Sequence, residues 1–422
     1  MDARVRGSDV SALDAALAAA IDGERRRQET YIELIASENY ASPRVLAAQG
    51  SCLTNKYADG YPGHRTYSGC EFVDVAESLA RERACALFGA EYANVQPYSG
   101  TQANAAAFMA LLEPGDTILG MANSHGGHIT HGDSRSFAGR FYKALHYTTD
   151  RNGLVDYEQL GTLAREHRPR MIIAGYSAYS RTLDWARFRA VADEVGAWLL
   201  VDMAHAAGLV AAGVCPNPVP YADVCTSTTH KTLRGPRGGL ILARDAAALG
   251  ARLDAAVYPG IQGGPLMHVV AAKAVAFEEA QRPQFRVYQG RVLANAAHLA
   301  AALEQHGFTI VTGGTDNHMM LVDLTTRDLS ALDAASRLEA AHIAVSSWRL
   351  PHDSPERAPH GLRLGTPAVT TRGFGPEQMQ ELAVLIAQVV AGSDTACERA
   401  RGRVAQLCQS YPVYGPGSTW DE

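Results

Sequence analysis

Between residues 90 and 245 the chain alternates short apolar runs with longer stretches of helical periodicity. YANVQPY, DTILGM, RMIIAGY, AWLLVDMA, ADVCTSTTH and GGLILAR are each brief, apolar and bounded by turn-forming residues. Such runs predict buried strands. Between several of them lie segments such as GTQANAAAFMALL and DWARFRAVADEVG, whose apolar positions recur at helical spacing. Strands alternating with helices predict an α/β fold built on a mostly parallel sheet covered on both faces. Upstream, residues 10–40 read as an amphipathic helix and a polar connector. After about residue 285 the pattern changes to a long helix (RVLANAAHLAAALEQHG), strands FTIVTGG and HMMLVDL, another helix, GLRLGT and a final helical stretch. The expected organisation is an N-terminal arm (1–45), a large domain (46–285) and a smaller α+β domain (286–422).

A length of 422 residues suits that division, because a single ordinary core does not grow so large. With 47% hydrophobic and 19% charged residues, the chain reads as soluble and globular. No apolar run reaches membrane-spanning length, and the opening MDARVRGSDVSALD lacks the apolar centre of a signal peptide, so a cytoplasmic location is expected. The net charge of −6 comes without a long basic block, which argues against nucleic-acid binding. The seven cysteines are odd in number and scattered, which favours reduced thiols over a disulfide frame or a metal cluster.

Ligands of such sheets bind at the carboxyl ends of the strands, so the polar residues just past each apolar run carry the candidate chemistry. In TSTTHKTLRGPRGG, Lys231 stands between a strand and a glycine-rich turn. A desolvated lysine amine there can form a Schiff base with a carbonyl compound; alone, the ordinary reading is a solvated charge. AWLLVDMAH ends a buried strand with Asp202, followed by His205. A carboxylate in that place needs a cation, and a protonated pyridine nitrogen is one; the alternative is a helix cap. PYSGTQAN sets Ser99, Gly100 and Thr101 at a helix start, where main-chain N–H groups and hydroxyls bind anions or simply cap the helix. An anion cup, an aspartate and a lysine in that order point together to pyridoxal 5'-phosphate.

These blocks, with LIASENY, LTNKYADGYPG, GCEFVDVAE, SHGGHITHG, VDMAHAAGLVAAG, YPGIQGGPLMH and LRLGTPAVTTRGF, resemble serine hydroxymethyltransferase in collinear order along nearly the whole chain. The resemblance implies a fold-type I pyridoxal phosphate-dependent transferase with a seven-stranded, mostly parallel sheet. It also implies a homodimer, or a pair of dimers, with active sites shared between subunits. Carried over motif by motif, Lys231 anchors the cofactor and Asp202 pairs with its ring nitrogen. His128 stacks on the ring, Ser177 and His205 lie near its phenolic oxygen, and Ser99, Gly100 and Thr101 hold the phosphate. Tyr57, Gly263 and Gly264 approach the phosphate from the other subunit. Arg363, assisted by Ser37, clamps the amino-acid carboxylate; Tyr67 lines the substrate site; His230 and Arg237 flank the lysine. His125 and His131 are weighed as packing residues, and Arg234 as a solvated charge. No metal is implied.

Departures from the family pattern gather on the folate side. Asp59 stands where family members carry glutamate, one methylene longer. Arg65-Thr66-Tyr67 replaces R-Y-Y, removing the aromatic ring that packs on folate. Asn123 replaces a leucine, and Ser346-Ser347-Trp348 replaces Asn-Lys-Asn. The expected activity is therefore aldol chemistry at Cα of a β-hydroxy amino acid with no folate carrier. It resembles that of the L-threonine transaldolases, which pass a glycine unit from threonine to an acceptor aldehyde, with Asn123 and Trp348 on the acceptor side. The alternatives are a conventional folate-dependent serine hydroxymethyltransferase, a threonine aldolase and a non-catalytic homologue.

Overall fold

The computed structural model describes residues 14–354 and 356–420; the first thirteen residues of the expected arm lie outside them. Seven strands make the large sheet: β1 (Tyr92–Asn94), β2 (Thr117–Met121), β3 (Lys143–Tyr147), β4 (Met171–Gly175), β5 (Trp198–Asp202), β6 (Val224–Thr228) and β7 (Gly239–Ala243). Their order is β1-β7-β6-β5-β4-β2-β3. All neighbours from β3 to β6 pair in parallel, whereas β7 is antiparallel to both β6 and β1. Hence β1 and β6 run the same way and present their carboxyl ends at one edge.

Six of the seven strands coincide with the apolar runs. The exception is β3, KALHY, an edge strand in which only Tyr147 is buried. A strand with one neighbour and a solvated side has no need of a continuous apolar run. By contrast β4, β6 and β7 are buried at every position. Helix α1 (Ala15–Thr30) lies at the periphery with no residue buried, while the strands are covered by helices that include α2 (Glu71–Phe88), α3 (Gly100–Leu111), α4 (Tyr157–His167) and α5 (Trp185–Val195). Asp156 and Asp184 cap α4 and α5 by accepting from the N–H groups of Gln159 and Arg187.

Two further helices, α6 (Met267–Ala280) and α7 (Pro283–Gln305), lead out of the sheet region. Phe285, Tyr288 and Val292 of α7 pack in the core around the large sheet, while Ala296, Leu299 and Leu303 pack in a second core. One continuous helix therefore joins the two cores, and the expected division near residue 285 falls at its start. The second core lies against an antiparallel sheet of β8 (Thr309–Ile310), β9 (Met319–Asp323), β10 (Ser346–Trp348) and β11 (Gly361–Gly365), ordered β8-β9-β11-β10. Helices α8 (Pro376–Ala391) and α9 (Asp394–Ser410) complete it.

The arm is woven into this second unit. Ile32–Glu33 pairs in parallel with Ile343–Ala344, and Ile32 and Leu34 are wholly buried. Arg372, also buried, donates to the carbonyls of Gln28, Glu29 and Tyr31 at the end of α1 and to that of Tyr411 beyond α9. That knot fixes the segment carrying Ser37. Among the described residues no helix is long and apolar enough to cross a membrane.

Candidate active site

At the shared strand edge a cavity of about 410 Å³ is lined by residues from both units, including Lys231, Asp202, His128, Ser99, Arg363 and Trp348. Lys231 follows β6 in a loop closed by Thr229 N–H to Gly238 carbonyl (3.1 Å) and Gly235 N–H to Thr229 carbonyl (2.7 Å). Its side chain is enclosed, and among the described residues no hydrogen bond or ion pair engages Nζ. Burial pulls the ammonium down to about 8; Asp202 opposes the shift, and Arg363 and Arg237 reinforce it. An unpartnered amine with that affinity for protons is an available nucleophile near neutral pH.

Asp202, the last residue of β5, has one oxygen bonded by Asn104 Nδ2 (2.9 Å) and His131 Nε2 (3.1 Å) and the other by the Ala204 N–H (3.1 Å). Burial would push its carboxyl up, but the hydrogen bonds from His131 and the Asn104 amide hold it well below the usual range. Three donors on one carboxylate fix it as an anion. His128 itself is lowered to about 4 by burial, so it is a neutral ring at physiological pH, and its Nδ1 lies 2.7 Å from Thr130 Oγ1. His128, His131 and Asp202 bring three ligand-type atoms within 4.8 Å, but two of these residues are already hydrogen-bonded to each other.

The connection from β1 to α3 brings Ser99, Gly100 and Thr101 to the cavity wall, with Ser99 Oγ capping α3 at the Gln102 N–H. At Gly100 a Cβ would lie 2.7 Å from Thr228 Cγ2, so the cup and β6 approach as only glycine permits. Across the cavity, Arg363 of β11 donates from Nη1 to the Ser177 carbonyl (2.8 Å) and from Nε to Ser346 Oγ (3.1 Å). Burial brings its guanidinium down to about 10, and no carboxylate pairs with it among the described residues. A buried, unpaired cation of this kind awaits an anionic ligand.

A family model for serine hydroxymethyltransferase matches residues 10–386. A serine hydroxymethyltransferase of Halorhodospira halophila is 56% identical over 413 residues, spanning 97% of this chain and 99% of that protein. Those of Methylococcus capsulatus (57% over 413 residues; 97% and 99%) and Legionella pneumophila strain Lens (58% over 407 residues; 95% and 97%) are equally similar. The chain belongs to the serine hydroxymethyltransferase family. It is accordingly a pyridoxal phosphate-dependent transferase of fold type I. The residues present fit that cofactor: an unpartnered amine at Lys231, a triply bonded anion at Asp202, a neutral ring at His128 and an N-terminal cup at Ser99.

Other residues that the serine hydroxymethyltransferase motifs single out also border this cavity. Ser37, Asn123, Ser177, His205, His230, Arg237 and Trp348 line it. His205 is buried, with Nδ1 3.3 Å from Nε2 of His318, and burial holds both rings neutral. His230 is lowered to about 3 by burial, then by Lys231 and Arg237, and its buried Nδ1 has no partner. Trp348 lies 5.0 Å from the Arg363 guanidinium, and its Nε1 is likewise buried without a partner.

A second cluster stands apart. Tyr57, Asp59, Tyr67, Gly263 and Gly264 are absent from the cavity wall. Tyr57 and Tyr67 meet edge to face at 5.2 Å and are about half exposed (57% and 47%). A Cβ at Gly264 would lie 2.9 Å from the Tyr57 ring and 3.2 Å from Asp59 Oδ1, which is buried without a hydrogen-bond partner. Arg65 holds this loop, donating to the Ala58 and Gly60 carbonyls and pairing with Asp74 (2.8 Å) and Glu77 (2.7 Å). Thr66 faces solvent.

Two readings of the motifs change with the structure. His131, weighed as a packing residue, is a donor to Asp202. Arg234, weighed as a solvated charge, lies against the rings of Tyr288 (4.4 Å) and Trp420 (4.6 Å). His125 does pack, with Nδ1 2.8 Å from Thr149 Oγ1. Asn104 went unnoticed, although its place four residues after Gly100 puts it on the same face of α3.

Proposed function

We propose that this enzyme breaks and forms the Cα–Cβ bond of β-hydroxy amino acids, and that it passes a glycine unit from L-threonine to an acceptor aldehyde without folate. The bond chemistry is carried by one observation: the unpaired Arg363 guanidinium faces the same cavity as the unpartnered Lys231 amine and the Asp202 anion.

In this reading Lys231 would anchor the cofactor covalently, Asp202 would keep its ring nitrogen protonated, and His128 would cover one face. Ser99, Gly100 and Thr101 would hold the phosphate, and Ser177 and His205 would lie near the phenolic oxygen. When bound, pyridoxal phosphate supplies an electron sink for the pair released at Cα. Arg363, with Ser37, grips the substrate carboxylate and so orients the Cα–Cβ bond. Removal of the β-hydroxyl proton then releases acetaldehyde, and addition of a second aldehyde returns a proton to the new hydroxyl. Asp59 and Tyr67 serve that proton from a second copy of the chain, together with Tyr57, Gly263 and Gly264 at the phosphate. The division of these residues into two clusters on one chain supports a homodimer. His230 stays neutral beside Lys231 and does not compete for the substrate's negative charge.

The choice of acceptor rests on Asn123 and Trp348 in the cavity wall and on Thr66, which offers no ring to a folate. The names of the relatives favour a second reading, tetrahydrofolate-dependent interconversion of serine and glycine. Full-length enzyme incubated with L-threonine and a panel of aldehydes, with and without tetrahydrofolate, decides between them by mass spectrometry of the amino-acid products. New β-hydroxy amino acids and free acetaldehyde in the absence of folate are expected. Turnover confined to serine and dependent on folate would establish the second reading, and glycine release without any added aldehyde would indicate a simple aldolase.

A further inference from the structure

A second buried lysine lies beneath the anion cup. Lys273, on α6, is 1% exposed, and its Nζ donates to three main-chain carbonyls: Val95 (2.6 Å), Gly239 (2.8 Å) and Pro97 (3.1 Å). Two of these belong to the connection from β1 to α3 that ends in Ser99 and Gly100. The third opens β7, directly after the glycine-rich turn that follows Lys231. The two segments also touch each other, through the Gly239 N–H and the Pro97 carbonyl (2.9 Å).

Burial pulls the Lys273 ammonium down to about 7, and Glu77 opposes the shift. A neutral amine has two N–H groups for these three acceptors, so full satisfaction of the carbonyls requires the charged form. The consequence is electrostatic as well as geometric. Three carbonyl oxygens turned inward beside a phosphate cup make a region of negative potential, which an ammonium placed among them offsets.

We propose that Lys273 is a positioning residue for the cofactor phosphate, clamping the loop that ends in Ser99 to the start of β7 and cancelling the carbonyl field behind the cup. It acts through the main chain and touches neither substrate nor cofactor. The proposal rests on the pyridoxal phosphate dependence of the family and is independent of the acceptor. Its distinguishing feature is selectivity for the phosphate: pyridoxal, which has the aldehyde and ring but no phosphate, should not need Lys273.

The test titrates the full-length chain, stripped of cofactor, with pyridoxal phosphate and with pyridoxal, following the absorbance of the lysine-bound form. For Lys273→Met, affinity for pyridoxal phosphate is expected to fall by roughly tenfold or more, and affinity for pyridoxal to stay within about threefold of wild type. Lys273→Gln is a second route to the same result, because its amide keeps a donor in the enclosure but removes the charge and cannot satisfy all three carbonyls. Should Lys273→Met fail to fold, Lys273→Gln carries the test alone. Equal weakening of both compounds, or unchanged affinity for pyridoxal phosphate, would overturn the proposal. A wild type that captured neither compound would sink the cofactor reading itself, and this one with it.

Discussion

Replacing Lys231 with alanine is expected to remove the visible absorbance of the bound cofactor and to lower turnover by about a thousandfold or more. The argument is one of supply. The chain has four lysines, Lys56, Lys143, Lys231 and Lys273. Lys143 is exposed, Lys56 donates to the Ser68 carbonyl near the surface, and Lys273 is engaged by three carbonyls. Among the described residues only Lys231 is enclosed in the cavity with a free amine, and no neighbouring lysine can replace it. Capture of the aldehyde needs the neutral amine. With Lys231 held near 8, capture by the wild-type apoenzyme is therefore expected to speed up as pH rises through that value and then to level off. Stopped-flow absorbance measures it. Retention of the band in Lys231→Ala, or a capture rate indifferent to pH between 6 and 9, would contradict this assignment.

The second large effect is expected at Asp202. In the proposed reading Asp202 keeps the ring nitrogen protonated; Asp202→Asn would remove that charge and set an amide against the donors Asn104 and His131. Breaking a buried charge pair costs about 3–5 kcal/mol, roughly a hundredfold to several thousandfold in rate. The cofactor should still be captured, since Lys231 is untouched, so the loss should appear in kcat with the absorbance band present. Turnover within about tenfold of wild type would show that the ring nitrogen does not depend on this carboxylate.

These expectations rest on features that differ in how far the sequence reveals them. The strands that support the site are buried on both faces and read as apolar runs, so DTILGM and AWLLVDMA are legible on sight. Edge strand β3 is not, because solvent on one side lets polar residues such as Lys143 and His146 enter it. The three-residue strand β10 and the pairing of Ile32–Glu33 with Ile343–Ala344 depend on partners far away in the chain, and no local periodicity marks them. Within the site, Asp202 ends a strand and Lys231 and Ser99 lie just past one, and those positions make them visible. His131 meets Asp202 across 71 residues, so its role appears only after folding. Lys273 sits among apolar neighbours in AAKAVAF, where a lone lysine gives no sign that three carbonyls enclose it. The separation of Tyr57 and Asp59 from the cavity is likewise a fact of geometry, legible from sequence only through resemblance to the family.

The most direct measurement is borohydride reduction of the full-length holoenzyme followed by peptide mass mapping, which makes the lysine–cofactor bond permanent and locates it. The account predicts the reduced pyridoxyl phosphate group on the peptide containing Lys231, with Lys56, Lys143 and Lys273 unmodified. Label on Lys273 or on a surface lysine, or no label on protein that had carried the cofactor, would contradict it.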